Sequence, residues 1–274
     1  MKNKPSKKNP DPQPVQGYYH CGDCLERFTV RTGMVYERSH VPLHKWVLAT
    51  HLLVSSKKGM SAHQLHRMIG VTYKTAWFLA HRIREAMNET NPGPIGGSGK
   101  SVQADETYFG TKDSLRGKTW AEKKGHSKKM SVVTLVSEGK SRTFHVDTAN
   151  VASVREILLN NIKKETELHT DESRLYTRTG KEFLVHKTVH HSAGEYYRDG
   201  VHTNCAENYF SIFKRGMRGV YQHCSEKHLQ RYLTEFDFRY NRRDIDDFSR
   251  AVQALRGAEG KRLTYRGTKI HAAD

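Results

Sequence analysis

The stretch SVQADETYFG, residues 101–110, opens the part of the chain that decides the fold. Its segment Val102–Tyr108 predicts a β-strand that ends before a glycine. Further strands are predicted downstream, at Met130–Ser137 (MSVVTLVS), Arg142–Val146 and Glu167–Thr170. Apolar residues at helical spacing predict a helix at Ser153–Lys164, before the fourth strand. Three strands, a helix and another strand predict an α/β fold built on a mixed sheet with flanking helices.

The chain on either side of this unit is mostly helical. Beyond Asn204, helices are predicted at Ala206–Lys214, His228–Tyr240 and Phe248–Gly257. Upstream, NPGPIGGSGK at residues 91–100 predicts a linker, because proline and glycine interrupt helices and strands alike. The predicted parts are a disordered basic tail (1–17), a partial zinc ribbon (18–40), a helix-turn-helix (41–90), the linker (91–100), the α/β domain (101–257) and a basic C-terminal tail (258–274).

A helix-turn-helix is predicted within residues 61–87, after a helix at Leu43–Ser55. Ser61 can cap a short helix, Gly70 makes the turn and Thr72 can cap a second helix. Such a motif reads DNA with the start of its second helix. The predicted DNA contacts on this helix are Tyr73, Lys74, Thr75 and Arg82. An ordinary helical hairpin is the alternative interpretation of the same pattern.

Charge favours a polyanionic partner. The 274 residues include 46 Lys plus Arg against 29 Asp plus Glu, a net charge of +17 spread along the chain. Such charge suits DNA enzymes and other basic proteins, such as ribosomal ones. No apolar run approaches the roughly 20 residues of a membrane-spanning helix, and the basic, proline-rich start lacks the apolar stretch of a signal peptide. We therefore expect a cytoplasmic, nucleoid-associated protein.

The cysteines, Cys21, Cys24, Cys205 and Cys224, are too few for a disulfide framework in a chain of this length. Cys21 and Cys24 form a C-x-x-C pair, which is half of a zinc ribbon. A complete structural zinc site needs four ligands, and His20 is the further candidate close by. The sequence therefore does not predict a complete zinc site at Cys21 and Cys24.

Three acids, Asp105, Asp171 and Glu207, are the candidate catalytic and metal-binding residues. The first lies in a predicted strand, the second directly after another strand and the third in a helix, so a sheet could bring them together. Three close anions need cations, and oxygen ligands favour two Mg²⁺ or Mn²⁺ ions, which promote phosphoryl transfer. Lys214 follows Glu207 by two helical turns, on the same face, and could hold a DNA phosphate. Exposed surface charge is the alternative for every acid, and the rivals are Glu106, Asp113, Asp147 and Glu172.

The sequence resembles bacterial insertion-sequence transposases of the DDE superfamily, in the ISXO-like group. The resemblance extends from Tyr18 to about Arg243. Its most specific stretches are RTGMVYERSHVPLHKW, SKKGMSAHQLHRMIGVTYKTAWFLAHRIREAM, ADETYFG, and VHTNCAENYFSIFKRGMRGVYQH with EFDFRYNRR after it. It implies a zinc ribbon and a helix-turn-helix ahead of a ribonuclease H-like catalytic domain of the retroviral-integrase type.

The resemblance also implies roles for individual residues. The catalytic positions fall on Asp105, Asp171, Glu207 and Lys214, the three acids being the metal ligands. In the same matched stretch, His202 and Asn204 are candidate contacts with DNA or metal, and Arg215 is a predicted DNA contact. Members of the group usually carry another cysteine pair near the N-terminus, and residues 1–17 contain none. Either the chain begins late or this copy has lost its zinc site.

The predicted function is that of an insertion-sequence transposase. It would bind the terminal inverted repeats in double-stranded DNA as a homodimer or larger assembly, cleave a strand with the help of metal ions, and join the freed 3′-hydroxyl to target DNA. One alternative is a helix-turn-helix regulator without catalysis, against which the intact triad argues. Another is a ribonuclease H-like nuclease that cuts without joining, which the same metal centre would allow.

Overall fold

A computed structural model describes residues 17–115, 117–119, 121, 129–195 and 197–264. Most of the two predicted tails lies outside the described residues. The strands are β1 Tyr19–His20, β2 Arg27–Phe28, β3 Ser101–Phe109, β4 Met130–Ser137, β5 Lys140–Val146, β6 Glu167–Thr170 and β7 Val185–Thr188. The helices are α1 Leu43–Ser55, α2 Ala62–Ile69, α3 Tyr73–Met87, α4 Val151–Asn161, α5 Arg174–Thr177, α6 Asn204–Gly216, α7 Leu229–Tyr240 and α8 Asp247–Arg256. No helix in this described part has the length and apolar character needed to cross a membrane.

The five longer strands form one mixed sheet in the order β5, β4, β3, β6, β7. The central strand β3 pairs antiparallel with β4 and parallel with β6, and β4 pairs antiparallel with β5. The α/β prediction is confirmed, and the topology is ribonuclease H-like. The sequence does not predict β7, because its four residues, VHKT, are half-exposed at the edge of the sheet and lack a buried apolar face.

Apolar helices cover both faces of this sheet. On one face, α4 packs Val154 and Leu158 against Val133 of β4. On the other, α6 and α7 form a layer in which Phe213 packs with Val132. Since β4 is buried from both sides, it shows a nearly continuous apolar run instead of an alternating pattern.

A second core lies among α1, α2, α3 and α8, which together form the helical unit of the chain. Ser61 and Thr72 cap α2 and α3 as predicted, and Gly70 ends α2 in the left-handed conformation, with φ 61°. The last helix, α8, places Ala251 and Ala254 in this core, and not against the sheet. The chain therefore leaves the helical unit, forms the sheet and returns to complete the core from which it started.

Buried charges join the helical unit to the sheet's helices. Arg84 of α3 donates from Nε to Oε2 of Glu235 in α7, at 2.6 Å. Arg239 and Tyr221 both donate to the other carboxylate oxygen, Oε1. The side chain of Glu235 is fully buried, and those of Arg84 and Arg239 are 3% and 7% exposed. Burial raises the pKa of Glu235, but the two guanidinium groups outweigh it and the net shift is downward.

Candidate metal centre

Asp105 and Asp171 lie beside each other because their strands are parallel neighbours. Gln103 in β3 is aligned with His169 in β6, so two further residues along each chain lead to Asp105 and Asp171. Asp171 follows the last residue of β6, and its Oδ1 accepts a hydrogen bond from the backbone N–H of Ser173 at 3.0 Å. The backbone therefore orients this carboxylate at the end of its strand.

Glu207 reaches the same region from the first turns of α6. Gln103, two residues before Asp105 in β3, is buried, and its Oε1 accepts a hydrogen bond from the backbone N–H of Cys205 at 3.0 Å. This bond ties the start of α6 to the strand and satisfies one of the helix's free N–H groups. Glu207 Oε1 lies 3.3 Å from Nδ1 of His191.

The three acids are close enough to affect one another electrostatically. Burial, followed by the charges of Glu106, Asp171 and Glu207, raises the pKa of Asp105 from 3.8 to about 7. Within the described residues, neither Asp105 nor Asp171 forms an ion pair with Lys, Arg or His. Among the described residues, negative charge thus gathers around Asp105 and Asp171, and His191 lies beside Glu207.

Divalent cations fit this donor set. Carboxylate oxygens are the ligands that Mg²⁺ and Mn²⁺ prefer, and cations would balance the charge that raises the pKa of Asp105. The oxygens of Asp105, Asp171 and Glu207 do not all come within 4.8 Å of one another. The three carboxylates therefore do not converge on a single point in this structure.

The rival acids have other partners. Glu106 points to the opposite face of β3 from Asp105, where Tyr176 donates a hydrogen bond to it at 2.6 Å. Glu172 accepts a hydrogen bond from the backbone N–H of Ser192 at 3.2 Å. Asp113 accepts one from the backbone N–H of Glu226 at 3.0 Å. Asp147 belongs to a separate cluster, described below.

The basic and polar residues of α6 divide between surface and interior. Lys214 is half-buried, with Nζ 5.9 Å from the centre of the Phe210 ring, and Arg215 is exposed. His202 Nδ1 lies 3.2 Å from Nε2 of Gln103, the residue that also bonds the start of α6. Asn204 is exposed at the first position of the helix. Nothing in the sequence singles out Gln103, because its partners lie about a hundred residues away.

The predicted DNA contacts on α3 differ in exposure. Tyr73 is 43% exposed and stacks on His63 of α2, and Lys74 is exposed at the start of the helix. Thr75 lies in the capping turn of Thr72. The prediction for Arg82 needs correction, because this side chain is buried. Arg82 contacts the protein itself: it donates to the carbonyl of Glu37 at 2.9 Å, and its guanidinium group lies over the Trp46 ring.

Cys21 and Cys24 lie in the turn between β1 and β2, and both are accessible to solvent. Hydrogen bonds from the backbone of Cys24 and Asp23 lower the pKa of the Cys21 thiol, which favours the thiolate. Among the described residues, neither His20 nor another His, Asp or Glu completes a group of three with these cysteines. His20 instead has Nδ1 3.3 Å from the carbonyl of Leu25.

A mixed sheet in the order β5, β4, β3, β6, β7, with acids in β3 and directly after β6, is the arrangement of a ribonuclease H-like protein. Residues 97–241, more than half of the chain, match the family described as the ISXO2-like transposase domain. The chain belongs to this family, and with it to the insertion-sequence transposases of the DDE superfamily. Over 243 residues it is 30% identical to a Halobacterium salinarum protein described as an uncharacterized protein in transposable element ISH50, covering 81% of this chain and 77% of the relative.

Solved structures resemble the chain more distantly. One chain of a simian T-cell lymphotropic virus intasome in complex with a PP2A regulatory subunit has a TM-score of 0.30 and 14% identity, covering 71% of this chain. This chain spans 63% of the length of that one. The Mos1 transposase paired-end complex with the left transposon end gives a TM-score of 0.32 and 14% identity, with 77% and 74% of the two chains covered.

The crowding of Asp105 predicts a pH-dependent stability. Its native pKa of about 7 lies above the ordinary value of 3.8, so the folded state binds the proton of Asp105 more tightly than the unfolded state does. The contribution of Asp105 to the free energy of unfolding is therefore highest at about pH 3 and falls as the pH rises through about 7. Metal-free Asp105→Asn protein should therefore be about 1–3 kcal/mol more stable than metal-free wild type at about pH 8, and no more stable at about pH 3. Urea unfolding in a chelator across this range measures the difference. The exposed Asp199→Asn variant is the control, and an equal rise in that variant would contradict the explanation.

Proposed function

We propose that this protein cuts and joins DNA at the ends of an insertion sequence, with residues 18–90 recognising the terminal inverted repeats and residues 101–257 catalysing the reaction. The observation that carries this proposal is the acidic centre. Asp105 lies in β3, Asp171 directly follows its parallel neighbour β6, and Glu207 lies in the first turn of α6. The charges of Asp171 and Glu207 both raise the pKa of Asp105. Membership of the transposase family supports the same proposal.

The three acids would divide the metal binding among them. We assign Asp105, Asp171 and Glu207 as the residues that would hold the divalent ions, because the charges of Asp171 and Glu207 both raise the pKa of Asp105. When bound, two Mg²⁺ or Mn²⁺ ions would activate the attacking oxygen and stabilise the leaving oxygen of a phosphodiester.

The remaining residues of the site would position DNA and the ligands. Lys214, two turns after Glu207 on α6, would hold a phosphate of the reacting strand, and the exposed Arg215 would contact DNA beside it. His191 would orient Glu207, since its Nδ1 lies 3.3 Å from that carboxylate. Lys214 and Arg215 would thus position the DNA, and His191 would position a metal ligand. The activation of oxygen would come from the bound ions.

Recognition of the element's ends is assigned to α2 and α3. Tyr73 and Lys74 are exposed at the start of α3, where a helix-turn-helix reads the major groove. We expect DNA binding to weaken steeply with salt, because Lys and Arg contacts release counterions from the duplex. Pairing two ends requires two sites, so a homodimer or larger assembly on double-stranded DNA at the nucleoid is part of the proposal.

Strand joining tests the proposed function. Full-length protein with Mg²⁺ is incubated with a labelled duplex carrying the element's own terminal repeat and with a plasmid target, and joined product is the expected result. Cleavage without joining would instead support a ribonuclease H-like nuclease. Sequence-specific binding that needs no metal, without cleavage, would support a regulator. Either of these two outcomes would overturn the proposal.

Gln103 offers a test of how the centre is assembled. Replacing it with alanine removes the bond from β3 to the start of α6, so Glu207 should lose its fixed position. We expect cleavage to fall about 10–100-fold, and the Mg²⁺ concentration for half-maximal activity to rise, with DNA binding unchanged.

Gln230→Ala is the matched control for Gln103→Ala. Gln230 also ties a helix to the sheet, because its Oε1 accepts from the backbone N–H of His145 and its Nε2 donates to the carbonyl of Thr143. It does not contact the three acids. Cleavage by this variant should stay close to that of wild type, and equal losses in the two variants would show a general effect on packing.

A further inference from the structure

A second cluster of metal-ligating side chains lies at the outer strand of the sheet. His145 is near the end of β5, Asp147 follows that strand, and Glu226 begins a short 3₁₀ helix that leads into α7. One ligand atom from each residue lies within 4.8 Å of those of the other two. In the described part of the chain, no other three His, Cys, Asp or Glu residues meet in this way.

The imidazole of His145 supplies the observation that points to a ligand. Its Nε2 is buried and has no hydrogen-bond partner among the described residues. The atom lies 4.0 Å from Oε1 of Glu226, which is too long for a hydrogen bond. Two ligand atoms that each lie about 2.1 Å from one ion stand roughly 3–4 Å apart. The separation therefore suits a shared ion better than a direct contact.

Neighbouring groups hold the side chain of Glu226 and the backbone of His145 and Asp147 in place. Glu226 accepts a hydrogen bond from the backbone N–H of Asp113 on Oε2, at 3.1 Å, which leaves Oε1 towards His145. The backbone N–H of His145 donates to Gln230 at 2.8 Å. The contact on Oε2 orients the Glu226 carboxylate, as outer contacts do for the ligands of a metal site. Lys112 donates to the backbone carbonyl of Asp147 and forms no ion pair with its carboxylate.

We propose that His145, Asp147 and Glu226 bind one divalent transition-metal ion, separate from the ions of the acidic centre. One imidazole nitrogen with two carboxylates favours Mn²⁺, Co²⁺ or Zn²⁺ over Mg²⁺, which prefers oxygen ligands alone. The site lies on β5, two strands from β3 and hence roughly 10 Å from the strand of Asp105. It is therefore too distant to share an ion with the triad.

The ion would fasten the edge of the sheet to the segment that enters α7. That segment includes His228, whose ring packs against Trp77 and His81 of α3. Metal binding would thus stabilise the packing between the sheet and α3, the helix assigned to DNA recognition. The site itself does not depend on the proposed function, since it rests only on the three side chains and their surroundings.

Manganese binding tests the site in the full chain. Asp105→Asn/Asp171→Asn protein, in which the acidic centre is disabled, is titrated with Mn²⁺ and followed by electron paramagnetic resonance. We expect one bound Mn²⁺ whose pulsed spectrum shows coupling to a ¹⁴N nucleus, the imidazole of His145. Adding His145→Gln should abolish the nitrogen coupling and weaken binding at least about tenfold. Adding His51→Gln, an exposed histidine of α1, should change neither.

Glu226→Gln separates loss of a ligand from loss of structure. The amide oxygen of Gln can still accept from Asp113, so this variant should fold normally and bind Mn²⁺ more weakly, with the nitrogen coupling retained once the ion is bound. The proposal is wrong if the double variant binds no Mn²⁺, if the bound ion lacks nitrogen coupling, or if that coupling survives His145→Gln. Since none of these readouts uses DNA, failure here would leave the strand-joining proposal standing.

Discussion

Replacing Asp171 with asparagine is expected to lower strand cleavage and joining by about a thousandfold or more, with binding to the terminal repeat within about twofold of wild type. Asparagine keeps an Oδ1 that can accept the hydrogen bond from Ser173, so the end of β6 should hold its shape. What it loses is the negative charge that would bind metal under the proposed function. Gel-shift binding and a cleavage assay on the same preparation measure the two effects.

Glu172→Gln is the matched control, because it changes the neighbouring acid in the same way. Glu172 is exposed and bonded to Ser192 and His190, outside the acidic centre. Its replacement should leave cleavage nearly unchanged. Equal activity of Asp171→Asn and wild type would remove Asp171 from the metal site, and inactivity of Glu172→Gln alone would move the assignment to its neighbour.

Replacing Glu235 with glutamine is expected to lower the free energy of unfolding by about 3–5 kcal/mol. The change leaves the guanidinium groups of Arg84 and Arg239 buried and facing each other without the carboxylate between them. Desolvated like charges are costly, whereas the intact arrangement balances them. Urea denaturation followed by circular dichroism would measure the loss.

The exposed pair of Arg155 and Glu182 is the control for this buried one. Arg155 donates two hydrogen bonds to Glu182, at 2.7 and 3.0 Å, but both side chains remain accessible to water. Glu182→Gln should therefore lower stability far less than Glu235→Gln, because water screens the exposed pair. If the two variants lost equal stability, burial would not be the source of the effect.

Much of the fold follows from local patterns, which is why the sequence predicts it. The long apolar strand β4, the capped helices α2 and α3, and the position of Asp105 inside a strand are all visible over windows of about ten residues. The orientation of Glu106 away from Asp105 also follows from a local pattern, since adjacent strand residues face opposite sides of the sheet. β7 is not predicted, because its sequence VHKT lies at a half-exposed edge and shows no regular alternation of apolar residues.

The features that the sequence does not reveal depend on distant contacts. Gln103 meets Cys205 and His145 meets Glu226 only after the sheet has formed, and no spacing along the chain encodes either pair. Arg82 is misassigned for a related reason. A basic residue on a helix predicted to face DNA is expected to be exposed, but the Glu37 carbonyl and the Trp46 ring, both distant in the chain, contact Arg82 in the fold. The assignment of Asp171 and Glu207 as partners of Asp105 likewise rests on the family resemblance.

The return of α8 to the first core has a consequence for synthesis on the ribosome. Ala251, Ala254 and Ala258 complete a core whose other buried members precede residue 90 or lie in α7, and Gly257 packs so closely on the Ala86 carbonyl that a side chain would not fit. The helices α1, α2 and α3 must therefore keep apolar surface uncovered until α8 has been translated. The nascent protein completes this helical core only after the sheet, although three of its helices precede the sheet in the chain.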